Sequence, residues 1–163
     1  MRQTRAHLVQ LSTMADMKAN MLLTMSSLVI TISLPHLLTP KFLWPLVLLV
    51  GFCLLTIALA AYAVMPKLPL KADNSTPPNI ESPTFNLLFF GDYTRLSFTE
   101  FEAAMEENMN DPSRTYQIMV REVYTLGVFL AKKKYRYLRL AYISFIAGLF
   151  VSFGGFLFVA MFA

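Results

Sequence analysis

Three long stretches of the chain are almost wholly apolar, and polar sequence separates them. A helix needs about 20 apolar residues to cross the roughly 30 Å of hydrocarbon in a bilayer, and these stretches approach or exceed that length. The pattern therefore predicts an all-α membrane protein with three transmembrane helices. They lie near residues 20–38, 42–65 and 140–162.

The sequence between the second and third predicted spans favours a linker followed by helices. Residues 67–84 collect four prolines among polar residues, which is typical of a linker. The apolar stretch 85–93 is too short to span a membrane, so we expect it to lie in the interface or to pack against the next helix. Ser97 and Glu100 have the spacing of a capping box, which predicts a short acidic helix over 98–110.

A longer helix is predicted from Asp111 and Pro112, which suit an N-cap and a first helical turn. The next helix breaker is Gly127, and the helical pattern continues into the third span. We therefore expect one rigid helix from residue 112 to near the C-terminus. Three regions follow: 1–65 with an N-terminal helix and two spans, 66–135 with the linker and a helical cytoplasmic segment, and 136–163 with the third span.

Composition and charge agree with a membrane protein and suggest its orientation. The chain is 56% hydrophobic and 15% charged, whereas a soluble domain is roughly 45–50% apolar and about 25% charged. Ten of the 14 Lys and Arg residues lie in 66–139, and only Lys41 lies between the first two spans. The positive-inside rule then places the N-terminus and the long segment in the cytoplasm. The net charge of +4 is explained by topology, and no nucleic acid polymer is expected as a partner.

Polar and small side chains form one stripe on each of two predicted spans, because they recur every three or four residues. The stripe on the first helix comprises Ser12, Asp16, Asn20, Thr24, Ser27 and Thr31. Lys18 points away from it and can reach the headgroups. The stripe on the third helix comprises Ala141, Ser144, Gly148, Ser152 and Gly155. Stripes of small residues let helix backbones approach closely in lipid.

Two interpretations of these stripes are open. In the first, the two stripes pack against each other, and Asp16 pairs with Arg136 or Arg139 near the membrane surface. In the second, one stripe faces a neighbouring copy of the chain or a pore after assembly into a homo-oligomer. An ionisable residue at membrane depth suggests function, although Asp16 lies at the edge, where its cost is small.

Basic residues also share one face of the predicted long helix. At about 100° per residue, they fall within about 60° of one another. They are Arg114, Arg121, Lys132, Arg136 and Arg139. Lys132, Lys133 and Lys134 lie beside the span, and such a run is typical of an anchor for anionic lipids. Arg114 and Arg121 lie further away and either pair with the acidic helix or hold a phosphate, so all five are candidate nucleotide or phosphate contacts.

Catalytic chemistry has little support in the sequence. His7 and His36 lie on opposite sides of the membrane in this topology, and neither has partners at metal-ligand spacing. The acidic residues of 98–110 are expected to form a solvated face, and they are Glu102, Glu106 and Glu107. We expect no enzyme, no metal and no cofactor.

Several motifs occur in an order that resembles the Pycsar effector transmembrane family. They are R-x-H-L and AD-x-KA within 5–19, NLLFFG at 86–91, and the stretch from VREVYTLG to KKYRYLRLAY at 120–142. The resemblance implies an inner-membrane protein of bacterial antiphage defence. A partner cyclase would make cyclic CMP or cyclic UMP on infection, and the effector would then damage the membrane and kill the cell before phage mature.

The segment between the spans does not resemble the cyclic-nucleotide-binding β-roll that some effectors of such systems carry. It contains no alternating strand pattern and little glycine. A messenger would therefore be sensed by the helical segment. The competing class is a constitutive membrane scaffold that recruits a cytoplasmic partner through residues 66–137.

Overall fold

The computed structural model describes residues 2–65, Ile80, Ser82 and 85–162, and all regular structure within these ranges is helical. The α-helices are α1 (Arg2–Ser33), α2 (Leu43–Val64), α3 (Phe90–Tyr93), α4 (Phe98–Met109), α5 (Pro112–Phe129) and α6 (Arg136–Phe162). Two 3₁₀ turns, Leu34–Leu38 and Pro40–Phe42, lie between α1 and α2, and a π-helical segment, Leu130–Tyr135, lies between α5 and α6. Apart from Ile80 and Ser82, the predicted linker at 67–84 lies outside the described residues.

Three helical stretches are long and apolar enough to cross a membrane, which confirms the predicted number of spans. They are Arg2–Leu38, Leu43–Val64 and Pro112–Met161. The first begins well before the apolar run, because residues 2–20 contain no proline or glycine to break a helix. Its α-helical part ends at Ser33, two residues before Pro35.

The chain divides into two compact units. The segment unit consists of Met1–Leu11 and Pro66–Leu130, and the membrane unit consists of Ser12–Met65 and Ala131–Ala163. Each unit has its own buried apolar cluster.

The core of the segment unit forms where the apolar stretch 85–93 meets α4. Phe85 and Leu87 are buried together with Ala104 of α4. Phe101 and Met105 pack around this cluster from the same helix. The prediction that 85–93 packs against the next helix is therefore confirmed.

Both predicted helix caps are present in the segment unit. At the start of α4, the Ser97 backbone N–H donates to Glu100 Oε2 at 2.8 Å, and the Glu100 N–H donates to Ser97 Oγ at 3.4 Å. At the start of α5, the Ser113 N–H donates to Asp111 Oδ1 at 2.8 Å. The hydrogen bonds from Ser97 lower the pKa of Glu100 from its ordinary value of 4.5. The ionised Glu100 therefore stabilises α4 fully at pH values above its ordinary pKa. This stabilisation is lost as the pH falls through the lowered pKa.

The membrane unit is held together by small and apolar side chains from all three of its helices. The buried cluster consists of Ala15, Ala19, Leu22, Ala60, Leu138 and Ala141. Beside it, the rings of Tyr62 and Tyr137 meet edge to face with centroids 4.6 Å apart. Small side chains at these contacts allow close packing where lipid offers no hydrophobic driving force.

The small-residue stripe of α6 packs against α2. Ser152 Oγ donates to the Pro45 carbonyl at 3.0 Å, and Ser144 Oγ donates to the Phe52 carbonyl at 3.4 Å. A Cβ at Gly148 would lie 2.5 Å from the Phe52 Cβ, closer than real Cβ atoms come. The two helices therefore meet at a distance that only glycine permits at this position.

Candidate functional site

The part of the polar stripe that follows Asp16 is exposed on the surface of the membrane unit. Its residues are Asn20, Thr24, Ser27 and Thr31. The three hydroxyl groups each donate a hydrogen bond to the carbonyl oxygen four residues earlier, at 2.7 to 2.9 Å. Each hydroxyl is thus satisfied within α1 itself, and the helix leaves a polar face uncovered in a single copy of the chain.

A neighbouring face of α1 makes the packing contacts instead. Its buried residues are Ala15, Ala19, Leu22, Ser26 and Ser33. The interpretation in which the two stripes pack against each other is therefore wrong, since the stripe of α6 lies on α2. Two faces about 100° apart are available on α1, and the buried one carries small side chains that let the neighbouring helices approach closely.

Asp16 forms an ion pair inside the membrane unit. Lys134 Nζ lies 2.6 Å from Oδ1 and 2.7 Å from Oδ2 of Asp16, and it also donates to Ser12 Oγ at 2.8 Å. The Lys134 side chain is only 14% exposed. The prediction that Asp16 pairs with Arg136 or Arg139 is corrected by this contact.

The sequence contains a signal for this partner. Lys134 precedes the buried residues Leu138 and Ala141 by four and seven positions, so it shares their helix face. Arg136 and Arg139 lie on roughly the opposite face and turn away from α1. Lys134 is easily overlooked as the partner because it is the last of three consecutive lysines at 132–134. Only helix periodicity shows that these lysines point to different faces.

Lys132, Arg136 and Arg139 line one open groove, as their predicted common face requires. The groove has a volume of about 680 Å³, and Ala131 and Tyr135 complete it. Three cations on one surface beside a membrane span attract anionic headgroups or phosphates. The structure thus brings together three of the five basic candidates.

Arg114 and Arg121 belong to the segment unit and have partners there. Arg114 pairs with Glu107 of α4, which confirms the alternative that it pairs with the acidic helix. Its Nε also lies 3.9 Å from Asp111 Oδ2. Arg121 Nη1 donates to the Phe85 carbonyl at 2.9 Å. The exposed positions of Glu102 and Glu106 confirm the predicted solvated face of α4.

One buried acidic residue was missed by sequence analysis. Glu122 is 8% exposed, and its Oε1 lies 3.1 Å from Nε of Arg5 at the start of α1. Both residues lie in motifs that carry the family resemblance, which was the available signal. A second missed residue is Asn86, a buried polar side chain in the mostly apolar stretch 85–93.

The described residues contain no cluster of His, Cys, Asp and Glu side chains that could hold a metal ion. A family model described as the Pycsar effector protein domain matches residues 1–161. The chain belongs to this family. A search of curated proteins finds no match, and neither does a search of solved structures.

Membership of the Pycsar effector family confirms the resemblance seen in the motifs. The match covers both structural units, so both units are part of the family domain. The family indicates an effector of antiphage defence, and the three apolar helices indicate a multi-pass membrane protein.

Proposed function

We propose that this protein is an inner-membrane effector that responds to cyclic UMP or cyclic CMP made by a separate cyclase. Copies of the chain then assemble and impair the membrane, which kills the infected cell before phage mature. In this proposal the N-terminus and the segment unit lie in the cytoplasm, and the protein acts on the membrane without catalysis or a cofactor. The family match over 1–161 supports the defence role.

The observation that carries the assembly step is the exposed polar face of α1. Asn20, Thr24, Ser27 and Thr31 form an uncovered polar row on a helix that enters lipid. Serine, threonine and asparagine side chains hydrogen-bond between helices in membranes. In a ring of copies this face would lie against a neighbour or a water-filled opening, where polar residues of spanning helices are usually found.

Messenger dependence is tested by expressing the protein in bacteria with and without an active pyrimidine nucleotide cyclase. We expect dye entry and growth arrest only when the cyclase is active, because the trigger for assembly is its product. A catalytically dead cyclase is the matched control. Growth arrest that is independent of cyclase activity, or absent with it, would overturn the proposal in favour of a constitutive scaffold.

Assembly is tested by removing three hydroxyl groups in the variant Thr24→Val, Ser27→Ala, Thr31→Val. Interhelical hydrogen bonds in membranes contribute about 0.6 kcal/mol each, so we expect roughly 20-fold weaker association at each contact. Chemical cross-linking in native membranes after cyclase induction measures this, together with dye entry.

The matched control for the triple variant is Ser26→Ala, on the packed face of the same helix. Ser26 Oγ is buried and has no hydrogen-bond partner among the described atoms, so its loss should be neutral. Unchanged cross-linking in the triple variant would show that the polar face of α1 takes no part in assembly.

A further inference from the structure

Asn86 is a buried residue whose side-chain nitrogen lacks an acceptor among the described residues, and it lines a small cavity of the segment unit. The residue is 1% exposed. Its backbone N–H donates to Asp92 Oδ2 at 3.0 Å, and its Oδ1 accepts from the Leu88 N–H at 3.1 Å. The bond to Oδ1 fixes the orientation of the side chain, and Nδ2 is left without an acceptor within the described part of the chain. A buried donor without an acceptor lowers stability, so its presence in a folded protein calls for an explanation such as a ligand.

The cavity beside Asn86 suits a few polar atoms of a ligand. It has a volume of about 60 Å³, and Asn108 and Arg121 also line it. A water-sized group needs at least about 10–15 Å³, so the two free oxygens of a phosphodiester fit while a base or a ribose does not. Donors from Asn86 and a permanent positive charge from Arg121 make this a place for an anion.

Arg121 also lines a larger and more open groove along α5. This groove measures about 610 Å³ and includes Tyr116, Gln117 and Tyr124. Tyr116 and Tyr124 are 66% and 72% exposed, so most of each side chain is open to a ligand. Exposed aromatic rings beside an arginine are the surfaces on which single-stranded bases stack, and the Gln117 amide can hydrogen-bond to the edge of a base.

We infer that the surface around Arg121 binds the cyclic pyrimidine mononucleotide itself, an inference that rests on the proposed function. The phosphodiester oxygens lie at the cavity of Asn86 and Arg121, and the pyrimidine stacks on the tyrosines of α5. One guanidinium N–H of Arg121 is used by the Phe85 carbonyl, and its other donors face the phosphate. The segment unit thus senses the messenger without a β-roll.

The basic groove of α6 is a less suitable site for a nucleotide. Its three cations and its one aromatic ring, Tyr135, lie on the π-helical segment and the start of α6, and no side-chain amide of the described residues lines it. Such a surface attracts any anionic headgroup without distinguishing a base. The surface around Arg121 combines an anion cavity with aromatic rings, which is the combination that a mononucleotide requires.

The test is a titration of the full chain in lipid nanodiscs with cyclic UMP and cyclic CMP, followed by calorimetry. We expect Arg121→Gln to weaken binding about 10- to 100-fold through loss of a charge-assisted fork. Tyr124→Ala should weaken it roughly 5- to 100-fold through loss of stacking. Asn86→Asp, which keeps the shape but turns a carboxylate toward the phosphate, should abolish detectable binding.

Arg114→Gln is the matched control, since Arg114 lies on the same helix and pairs with Glu107. We expect it to bind like the parent chain. Melting curves of every variant verify folding. Inorganic phosphate, vesicle lipid headgroups and cyclic AMP serve as competitors, and equal binding of phosphate alone would overturn the role of the tyrosines.

Two results separate this inference from the proposed function. If Arg121→Gln and Tyr124→Ala both bind like the parent chain, the site is wrong, whereas cyclase-dependent killing would still support the effector role. If the parent chain binds no cyclic pyrimidine nucleotide while the cyclase still triggers killing, the inference fails in the same way.

Discussion

Gly148→Ala is expected to lower the stability of the membrane unit by about 1–3 kcal/mol, the usual cost of overpacking a tight contact. The new Cβ would lie 2.5 Å from the Phe52 Cβ, an atom next to the backbone that cannot swing away. Helices α2 and α6 must therefore separate, which also lengthens the hydrogen bond from Ser152 to Pro45.

The single cysteine of the chain provides the measurement for this variant. Cys53 is 2% exposed in α2, so a thiol-reactive fluorescent dye reports its exposure as the helices come apart on heating. Gly154→Ala on the same helix is the control, because a Cβ there would meet nothing within 4 Å. Equal melting temperatures for the two variants would contradict the close contact between α2 and α6.

The second large effect is expected at the ion pair between Asp16 and Lys134. Asp16→Asn keeps the volume of the side chain but removes its charge, and Lys134 is left largely buried without a counter-ion. Hydrogen bonds to charged groups contribute about 1.5–3 kcal/mol, so we expect a loss of that order, with killing lost and membrane insertion retained.

A double-mutant cycle with Lys134→Gln measures the pair, because the loss in the double variant should be smaller than the sum of the single losses. Lys18→Gln is the control, since Lys18 is exposed and lies away from this contact. If Asp16→Asn and Lys18→Gln leave killing and melting equally unchanged, the ion pair has no role in either.

Local signals in the sequence were sufficient for the spans and the caps. Apolar length gave the three membrane helices, and the spacing of Ser97 to Glu100 and of Asp111 to Pro112 gave the starts of α4 and α5. These features depend on residues within one or two turns of each other, so a single sequence contains them fully.

Long-range choices were harder, because periodicity identifies a helix face without naming the neighbour that covers it. The stripe with Gly148 fits any close helix, and it lies on α2. On α1, the face with Ala15 and Ala19 is buried, whereas the polar face beside it is exposed. The cavity at Asn86 joins a loop to Arg121, 35 positions later, and no local pattern connects the two.

The internal hydrogen bonds of Thr24, Ser27 and Thr31 allow a single copy of the chain to remain in a membrane as a monomer. Lipid surrounds no unsatisfied hydroxyl at these three positions, so the helix is not forced to find a neighbour as soon as it is inserted. Under the proposed function, an uninfected bacterium can therefore accumulate the effector as monomers that do not damage the membrane. Toxicity then depends on the cyclic nucleotide, and a high expression level alone is not sufficient for it.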